Sequence, residues 1–154
     1  MTIRSSIPAV VTATLSMLTT AMAGQTAQLG SPVTVIDGEL GPNVPPEYVQ
    51  ILGVSGGRQV WATIGKQRRD EHFDVVGMVR VYVGGDDQAY CRQRCYDLLA
   101  LVETALDNDP SLSGATNIAA QFAATDLRMG VTDTGGRAAE VDFTISVSTQ
   151  LIAT

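Results

Sequence analysis

The C-terminal part of this chain contains its most regular pattern, a run in which apolar and polar side chains alternate. The apolar positions are Ala139, Val141, Phe143, Ile145 and Val147, and the polar positions are Glu140, Asp142, Thr144, Ser146 and Ser148. A period of two predicts a β-strand that buries one face and exposes the other. The preceding Thr134-Gly135-Gly136 turn predicts antiparallel pairing with the strand before it. The pattern favours a sheet with one face open to water or to an aqueous channel.

An N-terminal segment from about Ile7 to Met22 has the spacing of an amphipathic helix that could cover the other face. Ser5 and Ser6 precede it as candidate caps, and Pro8 suits a first helical turn. Its expected apolar stripe is Ile7, Val11, Leu15, Leu18 and Met22. Hydroxyl side chains are expected on much of the remaining helix surface.

A second helix is predicted from an Asp86 or Asp87 cap to about Asn108. Its apolar stripe is Cys91, Cys95, Leu98, Val102 and Leu106. The two cysteines are expected to be small buried hydrophobic residues without a disulfide, because a bridge within one helix is geometrically awkward. The order of helices and strands predicts an α+β fold, a two-layer sandwich. Its mainly antiparallel sheet is covered on one face by the N-terminal and central helices.

Five other segments have strand character. They are residues 33–36, 48–54, 59–64, 73–83 and a stretch of uncertain limits between about 116 and 131. Ser55-Gly56-Gly57 is predicted to turn the chain between the second and third of these as a hairpin. Before the fourth comes the most charged segment, for which a loop is predicted. Its candidate interface residues are Gln67, Arg68, Arg69, Asp70, Glu71 and His72.

Composition limits the chemistry that the chain can perform. Its 154 residues suit a single domain, and its formal charge of -6 argues against a dedicated nucleic-acid-binding surface. Two cysteines and one histidine nearly exclude a zinc site, and acid-base chemistry would depend on His72 alone. We therefore expect no catalytic residues, no metal and no cofactor, and a protein that works through its surfaces rather than as an enzyme.

Residues 1–24 could also be interpreted as a secretion signal, since Ala21-Met22-Ala23 resembles a cleavage site. Several threonine residues interrupt the apolar stretch, however, and the helical spacing favours a helix of the mature fold. No segment approaches the roughly 20 apolar residues of a membrane span. We therefore expect no membrane partner.

The central part of the chain resembles the tail terminator (tail completion) proteins of long-tailed bacteriophages and phage-like particles. A charged Arg68-Arg69-Asp70-Glu71-His72-Phe73-Asp74-Val75 leads into a strand that ends Val81-Tyr82-Val83-Gly84-Gly85-Asp86-Asp87. The following helix carries Arg92-x-Arg94 and several leucines, and Asp109-Pro110-x-Leu112-x-Gly114 follows it. The resemblance covers about residues 60 to 150 and depends on element order and a loose motif.

This resemblance implies a structural protein of the virion that assembles in the host cytoplasm. Its subunits would form a ring, as a hexamer, that caps the tail tube at the head-proximal end and ends its polymerisation. The partners would be other copies of the chain, the tail tube protein and the head-tail connector protein. DNA would pass through the lumen without specific binding, and we expect Glu140 and Asp142 to contribute to an acidic or neutral lining. The charged segment from Gln67 to His72 would contact another subunit or the tube.

Three other functions stay open. A head-tail connector or stopper, or a tail-tube subunit, would have similar size and ring symmetry. A secreted binding domain would require cleavage of the N-terminal segment. A small enzyme would require His72 and neighbouring carboxylates to act together.

Overall fold

The computed structural model describes residues 4–62 and 68–152. Within these ranges the chain forms two helices and five strands. The helices are α1 (Ile7–Met22) and α2 (Gln88–Asn108), and the strands are β1 (Thr34–Asp37), β2 (Glu47–Trp61), β3 (Arg68–Val83), β4 (Gln121–Val131) and β5 (Arg137–Ile152). The fold is the α+β two-layer sandwich that the sequence predicts.

The five strands form one sheet in the order β1-β2-β3-β5-β4. Only β1 and β2 are parallel, and the other three pairs are antiparallel. The two longest partners, β3 and β5, pair from Arg68↔Ile152 to Val83↔Arg137. Both helices pack on the side of the sheet that carries Val75 and Val79 of β3, which we call the covered face. The opposite side, which carries His72 and Arg80, is the open face.

The covered face forms the core with the two helices. Every apolar residue that the alternation in β5 predicts to point inward is buried, and so is every residue of the predicted α2 stripe. Helix α2 begins after Asp87, whose carboxylate accepts a hydrogen bond from the backbone N–H of Tyr90 at 3.0 Å. These predictions are confirmed.

The buried stripe of α1 differs from the prediction. The fully buried residues are Val10, Thr14, Leu18 and Met22, whereas Ile7, Val11 and Leu15 are half-buried. Thr14 can be buried because its hydroxyl donates to the carbonyl oxygen of Val10 at 2.8 Å. The prediction treated hydroxyl residues as surface residues, and it therefore missed this one.

The hairpin predicted at Ser55-Gly56-Gly57 was wrong. The chain continues through these residues as the 15-residue strand β2, with register shifts against β3 between Ile51 and Gly53 and between Ser55 and Arg58. Gly56 has a φ of 65° and accommodates the second shift. The glycines therefore absorb extra residues as β-bulges instead of reversing the chain. Since Trp61 pairs with Arg69, the connection to β3 lies after Trp61.

The strand predicted between about 116 and 131 begins only at Gln121. Before it, the side-chain amide of Asn117 accepts from the Gln150 N–H at 2.8 Å and donates to the Gln150 carbonyl at 3.0 Å. The Asn117 side chain thus occupies the position that a neighbouring strand would have beside β5. Ile118, which the prediction placed in the strand, lies outside it and is exposed.

Candidate interaction surface

The charged segment predicted as a loop lies largely in a strand. Its described residues are the first five of β3, Arg68, Arg69, Asp70, Glu71 and His72. They pair with β2 on one side and β5 on the other, so the loop prediction was wrong for them. Gln67 lies outside the described residues. Because side chains alternate along a strand, the charges are divided between the two sides of the sheet.

Glu71 points to the covered side and is 1% exposed. Its carboxylate accepts hydrogen bonds from the Ser5 hydroxyl at 2.6 Å, the Ser6 N–H at 2.8 Å and the Ser6 hydroxyl at 2.6 Å. The Gln59 amide donates a fourth. Burial raises the pKa of Glu71, but the hydrogen bonds from Ser5, Ser6 and Gln59 more than offset it, so the pKa is lowered. The carboxylate thus joins the start of α1 to the sheet.

Ser6 is the cap residue of α1 by position, but its side chain makes no capping bond to the helix. Its hydroxyl and N–H instead both donate to Glu71. Sequence reasoning found the two serines but assigned them a local partner. The partner of the Ser6 hydroxyl and N–H is Glu71, more than sixty residues away along the chain. Ser5 has both kinds of partner, since its hydroxyl donates to Glu71 and accepts from the Ile7 N–H at 3.2 Å.

Arg69 extends this network to the exposed end of the β2–β3 pair. Its guanidinium donates to the side-chain oxygen of Gln59 and lies over the ring of Trp61, 4.7 Å from the ring centroid. Trp61 is 46% exposed. The end of the sheet therefore presents a cation stacked on an accessible aromatic ring.

The open side of the same strand carries a row of polar pairs. The Nε atom of Arg68 lies 3.7 Å from the Asp70 carboxylate. Further along the strand, Nδ1 of His72 lies 2.8 Å from the Ser148 hydroxyl, and the Ser146 hydroxyl donates to Asp74 at 2.8 Å. These side chains hold one another in place across β3 and β5.

Glu140 and Asp142, predicted to line a channel, lie on the open face as the alternation indicates. Arg128 of β4 donates to Asp142 at 2.7 Å and 3.0 Å and to Glu140 at 3.2 Å. Arg80 of β3 lies 3.5 Å from Glu140. The hydrogen bonds to Asp142 and Glu140 raise the pKa of Arg128. The cluster contains two cations and two carboxylates, so this part of the face is neutral rather than acidic.

A second buried carboxylate was not found by sequence reasoning. Glu47, the first residue of β2, is 1% exposed and accepts from Arg94 Nε at 2.8 Å and from the Tyr90 hydroxyl at 3.2 Å. Arg94 also donates to the carbonyl oxygen of Thr26 at 3.0 Å. Burial and the charge of Glu47 raise the pKa of Tyr90. Arg94 belongs to the motif that carries the resemblance, but nothing local predicts its partner.

The described residues contain no group of three or more histidine, cysteine, aspartate or glutamate side chains arranged to hold a metal ion. Cys91 and Cys95 are free and buried, and desolvation raises the pKa of Cys95 to about 12. Such thiols are poor nucleophiles at neutral pH. His72 contacts Ser148, but Asp74 binds Ser146 instead of orienting the imidazole. No helix in the described ranges is long and apolar enough to cross a membrane.

Neither a model of a known protein family nor any curated protein matches the chain. The surface geometry and the sequence motifs are therefore the features that indicate a function.

Proposed function

We propose that this chain is a structural subunit of a ring that caps a phage tail tube, ends its polymerisation and joins the tail to the head connector. The observation that carries the proposal is the division of the sheet into two unlike faces. One face is apolar and covered by both helices. The other carries no helix and is mostly polar along β3 and β5, with Val76 and Met78 as apolar residues at its centre. Such a sheet can form the wall of a water-filled channel while the helices lie outside.

The charges on the open face suit a channel for DNA. Arg80 and Arg128 neutralise Glu140 and Asp142 by direct contact. A neutral surface gives the phosphate backbone no row of free cations to bind, and counterion release would be small. DNA could therefore slide past without being retained, which is what passage through a tail requires.

The exposed end of the β2–β3 pair is the proposed contact for another subunit or for the tube. Arg68 and Arg69 carry its positive charge, with Asp70 and His72 beside them on β3. Side-by-side opposite charges contribute register and partner choice more than affinity. Glu71 is left out of this surface, because its carboxylate is buried under the start of α1.

The experiment is electron microscopy of lysates from particles with an early stop codon in this gene. We expect overlong, irregular tails separate from filled heads, and normal particles when the wild-type gene is supplied in trans. Supplying an Arg68→Glu/Arg69→Glu variant should fail to restore joining. An Arg92→Glu variant, altered at an exposed residue of α2, is the matched control and should restore it.

Other outcomes select other functions. Tails of normal length beside unattached heads would assign the chain to the connector or stopper, and the absence of tails would assign it to the tube. Normal particles from the stop-codon strain would contradict all three virion roles.

The secreted binding domain has less support from the structure. Cleavage after Ala23 would remove α1, whose Val10 and Leu18 are fully buried in the core. It would also remove Ser5 and Ser6, leaving the buried Glu71 carboxylate without three of its hydrogen bonds. The intact mass of the expressed protein tests this alternative directly.

A further inference from the structure

Two strand edges of the sheet are unpaired within the described ranges of the chain. β1 covers β2 only from Tyr48 to Ile51, so the outer edge of β2 is unpaired from Gly53 to Trp61. On the opposite side of the sheet, β4 pairs with β5 along one edge only, and its outer edge is unpaired along 11 residues. Unpaired edges present backbone N–H and C=O groups to which another strand can bind.

We propose that these two edges bind each other between neighbouring copies of this chain, so that one sheet continues from subunit to subunit. This inference rests on the ring-forming part of the proposed function. β3 and β4 are each antiparallel to β5, so they run in the same direction, and β2 runs opposite to both. Copies in the same orientation therefore bring β4 of one against β2 of the next as an antiparallel pair. This head-to-tail contact can close into a ring by rotation.

Each edge carries one charged residue that makes no hydrogen bond or ion pair in the described structure, Arg58 on β2 and Asp126 on β4. Both residues are exposed. Arg58 pairs in register with His72, which places it on the open face. Thr125 and Asp126 form a β-bulge opposite Asp142, between Ala124 and Leu127, whose partners Phe143 and Val141 both point to the covered face. Both bulge residues, including Asp126, therefore lie on the open side. The two free charges are opposite in sign and lie on the same side of the sheet.

The offset needed to bring these charges together matches the geometry of a closed barrel. Arg58 is level with His72 of β3. The bulge that contains Thr125 and Asp126 lies opposite Asp142, which is level with Met78. Placing Asp126 of one copy opposite Arg58 of the next shifts the two copies by six residues along the strands, from His72 to Met78. This is about 20 Å at the usual rise per residue. Five strands are about 24 Å wide. The shift therefore tilts the strands by about 40°, where closed barrels have about 35–45°.

The same offset also fits the lengths of the two edges. Within one copy, Val131 at the end of β4 is level with Val83 of β3. A shift of six residues brings Val131 level with Gly77 of the neighbouring copy. Gly77 pairs with Ile51 of that copy's β2. Ile51 is the residue at which β1 stops covering β2. β4 can thus occupy the unpaired edge of β2 up to Gly130, which comes level with Gly53, and only Val131 overlaps the position of Asp37 of β1.

A charge exchange tests the contact in the full chain. Light scattering on a sizing column should show the wild type at a multiple of its 16.2 kDa mass. Arg58→Asp and Asp126→Arg should each raise the concentration needed for assembly by at least about tenfold, because like charges then meet at the edge. The double variant should return it to the wild-type value. Asp133→Arg, in the exposed β4–β5 turn, is the control and should have no effect.

Disulfide trapping provides a second readout that detects even a weak contact. Residues opposite each other in an antiparallel pair are within disulfide reach. Oxidised R58C/D126C should form a ladder of linked chains on a non-reducing gel, whereas R58C/D133C should not. The natural Cys91 and Cys95 are fully buried and should not contribute. The proposal would be overturned if Arg58→Asp and Asp126→Arg assembled at the same concentration as the wild type. It would also be overturned if oxidised R58C/D126C stayed monomeric and formed no ladder.

The outcomes separate this inference from the proposed function. A ladder together with normal particles from the stop-codon strain would retain the edge contact and reject the virion role. Overlong tails together with no ladder would retain the virion role and reject the edge contact.

Discussion

The two ends of the covered face each bury a glutamate, but they stabilise its charge in different ways. Glu47 is bound by a cation, Arg94, which α2 holds over the end of β2. Glu71 is bound among the described residues by neutral donors, two serines at the start of α1 and the amide of Gln59. Both carboxylates are 1% exposed. Equal burial therefore does not imply an equal loss of unfolding free energy when the carboxylate is removed. Removal of Glu47 leaves an unpaired cation, whereas removal of Glu71 leaves only neutral donors.

The difference follows from the two helices. α1 approaches the sheet with its N-terminus, where free N–H groups and the helix dipole favour an anion. α2 lies over Glu47 with its side, so it donates from the side chains of Arg94 and Tyr90 rather than from free backbone N–H groups. The hydrogen bonds of Glu71 hold the N-terminal end of α1 against the sheet, and the contacts of Glu47 hold one side of α2 against it.

The largest effect is expected when Glu47 is removed. Glu47→Ala leaves the guanidinium of Arg94, whose side chain is 17% exposed, without its carboxylate. Breaking a buried pair in this way costs about 3–5 kcal/mol of unfolding free energy. Urea denaturation followed by circular dichroism measures it. Glu47→Leu/Arg94→Leu should recover part of the loss, and a double variant no more stable than Glu47→Ala would contradict the ion-pair explanation.

A smaller effect, dependent on pH, is expected at Glu71. Because its pKa is lowered in the folded chain, its ionisation adds stability above the unfolded pKa. That stability is lost as the pH falls through the folded pKa. Glu71→Gln should thus be less stable than the wild type at pH 7 and approach it under acidic conditions. Unfolding free energies between pH 7 and pH 3 test this, and a constant difference would contradict it.

The smallest effect is expected at the exposed serine. Ser5→Ala removes one hydrogen bond to Glu71 and the bond that the Ser5 hydroxyl accepts from the Ile7 N–H at 3.2 Å. Water can reach both vacated positions, so the loss should be about 1 kcal/mol or less. Thr19→Ala is the matched control, since that exposed hydroxyl bonds only to its own helix at Leu15. Hydrogen exchange should show faster exchange in the first turn of α1 for Ser5→Ala alone. Equal exchange in the two variants would mean that Ser5 does not help to dock the helix.

Elements with a local periodic signal were predictable from the sequence. β5 alternates without interruption, and α2 combines an aspartate cap with an apolar stripe, so both have the predicted location and buried face. The full length of the bulged strand β2 was not predictable from the sequence, because Gly56-Gly57 satisfies the local rules for a turn as well as those for a bulge. Pairing with β3 determines which of the two forms.

The candidate surface was less predictable, since its chemistry depends on distant partners. The alternation in β5 correctly put Glu140 and Asp142 on the open face, but Arg128 on β4 determines their net charge. Gly77 has no local signal either. It lies opposite Phe143, whose ring occupies the space that a side chain at Gly77 would need.

The stacking of Arg69 on Trp61 has a practical consequence for experiments on this protein. Trp61 is the only tryptophan in the chain, and it lies at one extreme end of the sheet. Arg69, Gln59 and Glu71 connect its surroundings to the start of α1. Intrinsic fluorescence therefore reports on this end of the molecule and on the docking of α1. A fluorescence transition that precedes the circular dichroism transition would show that this end of the molecule, where α1 docks, loosens before the rest of the sheet unfolds.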